Sequence, residues 1–173
     1  LSDDLGRPGL RLAHFDPEVT RLASKQWTGE VDAPIEFADG FPLLVVGEAS
    51  LAELNQRLAA AGDAAVGIER FRPNIVLAGL QAHDEDRLHE LRIATAEGEV
   101  VLRLVKPCPR CPIPNVDPAT GETSPEVLAA LSSYRANALL GGAITFGLNC
   151  VIVQGAGATL RVGDAVAADW RFD

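Results

Sequence analysis

Short apolar runs, bounded by Gly, Pro or Asp, dominate the hydrophobic pattern of this chain. Runs of this kind, either alternating apolar and polar side chains or continuously apolar, predict β-strands. The predicted strands are residues 10–15, 34–37, 42–46, 75–79, 91–95, 100–105, 146–153 and 160–166. The pair at 91–95 and 100–105 flanks Glu97-Gly98, a combination that predicts a hairpin.

Only two segments carry clear helix signals. Residues 50–53 (Ser-Leu-Ala-Glu) fit a capping box, in which Ser50 and Glu53 satisfy each other's backbone donors, and Gly62 marks the helix end. The predicted apolar face of this helix consists of Leu51, Leu54, Leu58 and Ala61. A second helix is predicted from Ser124-Pro125-Glu126, where a hydroxyl cap precedes a proline at the first helical position.

Other segments show no helical or strand period. Residues 25–29 predict a loop, and the acidic stretch 83–90 predicts a solvated loop or helical turn with His83 and His89 at the surface. Many short strands and few helices predict an α+β fold that is mainly β, an open or closed β-barrel with a few peripheral helices. Helices and strands do not alternate, so we expect no βαβ unit. We predict a single domain, residues 1–173.

Charge and cysteine content narrow the function classes. The net charge of −9 argues against nucleic acid as a stable partner, and no apolar run has the roughly 18 residues of a membrane span. Three cysteines without a signal-peptide segment predict a reducing, cytoplasmic location rather than a disulfide framework. The chain begins with Leu1 and contains no Met, so we expect a fragment of a longer protein.

The motif Cys108-Pro109-Arg110-Cys111 is the first candidate for chemistry. Four prolines in and around it exclude a helix and predict a stiff loop after a buried strand. Buried thiols, a structural zinc site, a redox pair, and a single thiolate that acts as nucleophile or metal ligand all remain open. Zinc lacks further ligands at suitable spacing, and a thioredoxin-type pair lacks its helix. Arg110 and Lys106 would favour a charged thiolate, which is a soft metal ligand.

A second candidate is Arg70-Phe71-Arg72-Pro73-Asn74. A guanidinium group can bind phosphate or carboxylate through two parallel hydrogen bonds, and an asparagine amide can bind the polar edge of a heterocycle. Pro73 fixes the backbone between Arg72 and Asn74. The alternative is that both arginines only solvate the start of a strand. Asp117, which precedes a proline, predicts an Asx-type turn.

The order of these motifs resembles that of the MOSC domain, and most nearly the branch of the mitochondrial amidoxime-reducing component and the bacterial YcbX-type proteins. The resemblance covers about residues 34–173. It is carried by Asp39-Gly40-Phe41-Pro42-Leu43-Leu44, Phe71-Arg72-Pro73-Asn74-Ile75-Val76, Cys108-Pro109-Arg110-Cys111, Val116-Asp117-Pro118, Phe146-Gly147 and Val162-Gly163-Asp164.

The resemblance implies a molybdenum-pterin cofactor of the molybdopterin type, with Cys111 as molybdenum ligand and catalytic residue. Residues at the family's cofactor-contacting positions are Asp39, Arg72, Asn74, Pro109, Arg110 and Asn149. It further implies an oxidoreductase that reduces small N-hydroxylated compounds, with electrons from a redox protein or a ferredoxin-like domain. The alternative is a non-enzymatic carrier of the cofactor or of sulfur. Residues 1–33 do not resemble the N-terminal half of full-length members, so we expect this fragment alone to be weakly active or inactive.

Overall fold

The computed structural model describes residues 2–171, in which a mixed sheet of seven strands curls into a half-barrel. The strands are β1 (Leu43–Gly47), β2 (Ile75–Leu77), β3 (Leu88–Thr95), β4 (Gly98–Pro109), β5 (Ala136–Asn137), β6 (Ala143–Gln154) and β7 (Val166–Trp170). The α-helices are α1 (Lys25–Thr28), α2 (Glu48–Ala61) and α3 (Glu126–Ser132). The predicted fold class, mainly β with a few helices around an open barrel, is confirmed. The single-domain prediction for residues 1–173 remains a prediction, and Leu1, Phe172 and Asp173 lie outside the described residues.

The strand order is β2-β1-β6-β4-β3-β7, with β5 paired to β6. The predicted hairpin is confirmed, because β3 and β4 pair antiparallel as far as Thr95 and Gly98. Strand β4 continues beyond its predicted end, and its register with β6 shifts between Leu104 and Lys106 and again between Pro107 and Pro109. Such irregularities bend a strand and redirect its side chains. They lie where β4 leads into the cysteine motif.

The expectation that the chain has no βαβ unit is wrong. Strands β1 and β2 pair in parallel, with Val46 opposite Val76, and helix α2 lies between them in the chain. The apolar run at residues 75–79 predicted a strand but did not show that this strand pairs in parallel with β1. Strand β2 has only three residues, and Val76 within it is largely exposed. This unit places the chain that leads into β2 beside the start of β1.

The start of α2 also differs from the prediction. The helix begins at Glu48 after Gly47, so Ser50 lies inside its first turn and makes no capping box with Glu53. Instead, the buried carboxylate of Glu85 accepts hydrogen bonds from Gly47 N at 3.1 Å and Ser50 Oγ at 2.7 Å. A Cβ at position 47 would lie 2.7 Å from Glu85 Oε2, which explains the glycine. The predicted helix end at Gly62, which has φ of +87°, is confirmed.

Apolar side chains pack on both faces of the sheet. One cluster comes entirely from strands and fills the curl of the half-barrel; it includes Val45, Leu91, Leu104 and Leu148. Neighbouring residues of β1 point the other way, as strand geometry requires, and pack with Leu54 and Leu58 of α2 and with α3. A third cluster joins the segment before β1, through Ala23, Ala33 and Ile35, to Val105 and Val151 of the sheet.

Three predicted strands are wrong, at residues 10–15, 34–37 and 160–166. They have a strand-like pattern, but residues 34–37 pair only through an isolated bridge between Pro34 and Leu22. In the other two segments, Leu12 and Val162 are 94% and 108% exposed. The predicted loop at residues 25–29 contains the one-turn helix α1. Within residues 2–171, no helix has the length and apolar character that crossing a bilayer requires.

The prediction of a surface histidine is wrong for His83, although His89 is exposed. The side chain of His83 is only 14% exposed, and its ring packs 5.5 Å from that of Tyr134 and 6.1 Å from that of Phe146. Burial, helped by the nearby Arg135 charge, lowers the pKa of His83, and the carboxylates of Glu85, Asp86 and Glu53 oppose this only in part. His83 is therefore a largely buried imidazole that is mainly neutral at neutral pH.

We expect the protein to lose stability as pH falls below about 6.5, the ordinary pKa of an unfolded histidine. The folded state holds His83 at a lower pKa, so the unfolded state takes up the proton first and is favoured. Burial raises the pKa of Asp86, an effect that opposes this loss only at lower pH. Urea unfolding at pH 7 and 5.5 should show a smaller pH dependence in His83→Gln than in wild type, while the exposed control His89→Gln should keep it. An unchanged dependence in His83→Gln would contradict the assignment.

Candidate functional site

A cleft of about 590 Å³ opens where the start of β1, the end of β4 and the connections on either side of them meet. This volume lies within the range of small-molecule and cofactor sites. All the predicted site residues line this one cleft: Asp39, Arg72, Asn74, Pro109, Arg110, Cys111 and Asn149. Residues far apart in the chain therefore share a single concave surface.

Cys111 is exposed on this cleft. It follows the end of β4, and the chain is held there by the hydrogen bond from Arg110 N to Ile144 O at 2.9 Å. Behind it, Arg70 donates to Asn115 O and to the Asp117 carboxylate, both at 3.1 Å. Asp117 Oδ1 accepts from Ala119 N at 2.8 Å, which confirms the predicted Asx turn. The thiol is thus presented to solvent by a loop fastened on both sides.

The guanidinium group of Arg110 contacts the other cysteine of the motif. Its Nη1 donates to Cys108 Sγ at 3.2 Å, and its Nη2 donates to Phe71 O at 3.0 Å. Of the two cysteines in the motif, Arg110 therefore makes its short contact with Cys108. The Nε of Arg110 is buried and has no hydrogen-bond partner among the described residues, so one strong donor is left for a bound ligand.

Arg72 and Asn74 also line the cleft. Arg72 ends the 3₁₀ turn Ile68–Phe71 with a left-handed backbone, φ of +54°, which is unfavourable for a side chain other than glycine. Asn74 is fixed by two bonds to the start of β1: its N donates to Leu44 O, and its Oδ1 accepts from Leu44 N at 2.8 Å. Within residues 2–171 the Arg72 guanidinium has no ion pair or hydrogen bond, so it is available to an anion.

Asn149 and Asp39 complete the predicted set. Asn149 lies on β6 between β1 and β4, and its Nδ2 donates to Lys106 O at 3.3 Å. Asp39 belongs to a bend at residues 36–40, and its backbone carbonyl accepts from Arg21 Nη2 at 2.9 Å. Asn149 thus joins β6 to β4 where it lines the cleft, and Asp39 belongs to a segment that a distant arginine holds.

Sequence reasoning did not assign Phe37 and Ile113 to the site, and it named Lys106 only as a charge that would favour a thiolate. The Lys106 ammonium lies 5.3 Å from the centre of the Trp27 ring and 5.8 Å from that of Phe41, and it has no ion pair in the described chain. Phe37 and Ile113 are 66% and 49% exposed at the cleft. The register shift before Lys106 directs it into the cleft, and a one-dimensional pattern carries no signal for such a shift.

The third cysteine takes no part in the cleft. Cys150 is buried among strand side chains, and burial raises the pKa of its thiol to about 12, so it stays protonated. Among the described residues, no group of three or more His, Cys, Asp and Glu side chains is placed to hold a metal ion. A metal at Cys111 would therefore need most of its ligands from a non-protein group.

Comparison with known protein families assigns the chain to a family. Residues 32–167 match the MOSC domain. The chain belongs to the MOSC family. Among curated relatives, mouse mitochondrial amidoxime-reducing component 1 is 36% identical over 96% of this chain and 48% of its own length. The human protein of that name is 38% identical over 90% of this chain and 46% of its own length.

A relative with a different name covers less of this MOSC chain. Molybdenum cofactor sulfurase of rice is 34% identical over 75% of the chain, which corresponds to 16% of the rice protein. The chain spans about half the length of the amidoxime-reducing relatives. The mouse alignment also includes residues before position 34, where the motifs showed no resemblance. Together these matches make this MOSC chain a domain related to the molybdenum cofactor.

The residues of the cleft fit such a group chemically. The exposed Cys111 sulfur is a soft ligand of the kind that suits a thiophilic metal. Arg72 and Lys106 are cations without counter-ions in the described chain, and the buried Arg110 Nε lacks an acceptor. An anionic, hydrogen-bonding pterin would supply the missing partners.

Proposed function

We propose that this MOSC domain binds a molybdenum-pterin cofactor in the cleft and acts as an oxidoreductase that reduces small N-hydroxylated compounds. The observation that carries the proposal is the exposed Cys111 thiol in a cleft whose cations have no counter-ions among residues 2–171. In a chain with a net charge of −9, unpaired cations inside one cleft create a local site for an anion. The names of the mouse and human relatives supply the reaction class.

The chain's own residues would have separate tasks. Cys111 would provide the protein ligand to the metal. Arg72 would bind the pterin phosphate, since its guanidinium group has no partner in the described part of the chain and its backbone is fixed between a 3₁₀ turn and Pro73. Asn74 and Asn149, both anchored to sheet backbone, would offer amide groups to the pterin ring. The bound molybdenum centre would supply two-electron redox chemistry.

Other residues would shape the access to this centre. The backbone of Pro109 and Arg110 leads to the metal ligand, and the Asp39 carboxylate would accept hydrogen bonds from pterin N–H groups. The exposed ring of Phe37 and the half-buried ring of Phe41 line the same cleft as Cys111 and would contact a small organic substrate there. Electrons would come from a separate redox protein or a ferredoxin-like domain. We retain the cytoplasm as the predicted location, although the mammalian relatives are named as mitochondrial.

The test is elemental analysis and pterin fluorescence of the protein produced in cells with intact cofactor synthesis. We expect about one molybdenum and one pterin per chain, and reduction of a small amidoxime by the loaded protein with a chemical electron donor. The same protein from cells that cannot synthesise the cofactor is the matched control. Protein that contains neither molybdenum nor pterin would refute the proposal.

A second candidate is a carrier of the cofactor or of sulfur, and the rice molybdenum cofactor sulfurase is the observation that favours it. Both candidates share Cys111 and the cleft. A protein that holds molybdenum, reduces no N-hydroxylated compound and transfers its cofactor to an apo-enzyme would support the carrier instead.

A further inference from the structure

One wall of the cleft has no regular secondary structure of its own. Residues 36–40 form a continuous bend, yet Phe37, Asp39 and Phe41 of this region line the cleft. We refer to residues 37–41 as the aromatic wall. A segment without a strand partner leaves its backbone carbonyls to other donors or to water. The position of this wall therefore depends on whatever binds those carbonyls.

A single guanidinium group binds three of them. Arg21 Nη1 donates to Glu36 O and Ala38 O, both at 2.8 Å, and Arg21 Nη2 donates to Asp39 O at 2.9 Å. The planar fork of arginine is suited to several acceptors at once, which the flexible ammonium of lysine is not. Three charge-assisted bonds from one side chain define the curve of the bend.

Arg21 is itself held in place by backbone pairing. Its carbonyl accepts from Ile35 N at 2.9 Å, the neighbouring Leu22 forms an antiparallel bridge with Pro34, and Ala23 N donates to Ala33 O at 2.9 Å. Ala23 and Ala33 are buried against the sheet. The guanidinium group therefore projects from an anchored piece of chain towards the bend.

The segment before the matched MOSC region touches the same wall at one further point and contacts Lys106 of the cleft at another. The Phe15 ring contacts that of Phe37 edge to face at 5.4 Å, and Trp27 lies under the Lys106 ammonium together with Phe41. Phe15, Arg21 and Trp27 all precede residue 32, where the family match begins. One wall of the cleft is thus supported by residues outside the matched region.

We propose that Arg21 is a positioning residue that holds the aromatic wall against the ligand bound in the cleft. In its ligand-related part, this inference rests on the proposed cofactor-binding function. Without Arg21, the three carbonyls turn to water and the bend moves away from the cleft. The cofactor is then less enclosed and dissociates faster, although Cys111 and Arg72 are untouched.

The test compares Arg21→Ala and Arg21→Lys with the wild-type protein. Chymotrypsin cleavage after Phe37, followed by mass spectrometry, reports the freedom of the wall, and molybdenum retained after gel filtration reports ligand release. We expect Arg21→Ala to accelerate cleavage and molybdenum release by about tenfold each, since three charge-assisted bonds are lost at a partly solvated site. The rates of Arg21→Lys should lie between those of Arg21→Ala and the wild type. Methylguanidinium added to Arg21→Ala should slow both processes again.

Arg11→Ala is the control, because it removes the same charge from the same segment and the Arg11 side chain makes no bond to the described residues. It should behave as wild type, and all variants should keep the wild-type melting temperature. A cleavage rate in Arg21→Ala equal to that of the wild type would overturn the inference. Faster cleavage with an unchanged rate of molybdenum release would overturn it as well. If the wild-type protein holds no molybdenum, the proposed function fails and the ligand-related part fails with it, while the cleavage rates still decide whether Arg21 fixes the wall.

Discussion

Replacing Cys111 with serine is expected to reduce the bound molybdenum at least roughly tenfold, to the background of the analysis. Serine has nearly the size of cysteine but offers a hard, protonated oxygen in place of a soft thiolate. The side chain is exposed on the cleft, so its replacement removes no packing and leaves the stability of the fold unchanged. Elemental analysis of the purified variant, with its urea unfolding curve alongside, measures both quantities.

Cys108→Ser is the matched control for this experiment. Cys108 lies in the same motif and lines the same cleft, but its sulfur accepts a hydrogen bond from Arg110 at 3.2 Å, which a hydroxyl oxygen also accepts. We expect this variant to retain most of its molybdenum. Equal loss in both variants would assign the metal to the pair of thiols. Full retention in Cys111→Ser would refute the assignment of Cys111 as ligand.

The site was more predictable from the sequence than its supports were. Arg72, Asn74 and Cys111 lie in short motifs whose chemistry is local, and Pro73 and Pro109 restrict the backbone within those motifs. The structure places them in one cleft with Asp39 and Asn149, and their cofactor roles remain proposals. Arg21 acts on distant backbone carbonyls and leaves no pattern in the sequence. Lys106 was named because it lies beside the cysteine motif, but the strand irregularity before it could not be read from the sequence.

The fold likewise has parts that could be predicted from the sequence and parts that could not. Strands β3, β4 and β6 were predicted because long apolar runs with turn residues between them need no further information. The false strands at residues 10–15 and 160–166 had the right alternation but no partner, and pairing is a tertiary property. The true last strand, β7, begins where the last predicted strand ends, and it pairs with β3 from Ile93 to Leu88.

At the start of α2, a tertiary contact is found in place of the predicted local one. The sequence predicted that Ser50 and Glu53 would cap the helix, but Glu85 from a turn far along the chain accepts from Gly47 N and Ser50 Oγ. Ser50 Oγ in turn accepts from His83 N at 2.8 Å, so the network joins α2 to the turn before β3. A buried carboxylate at a helix N-terminus is stabilised by the donors and the dipole there.

Replacing Glu85 with alanine is therefore expected to lower the free energy of unfolding by about 3 kcal/mol, because two buried donors lose their acceptor and a cavity remains. Glu85→Gln should cost less, about 1–2 kcal/mol, since it fills the space but sets an amide donor against Gly47 N or Ser50 Oγ. Urea unfolding at pH 7 measures both. Glu48→Ala, at an exposed position in the first turn of the same helix, is the control and should change little.

Helix α2 packs through Leu54 and Leu58 on Phe71, and the carbonyl of Phe71 accepts a hydrogen bond from Arg110. The Glu85 variants should therefore also loosen one side of the cleft. Equal stability of Glu85→Ala and Glu48→Ala would show that this network does not hold the helix.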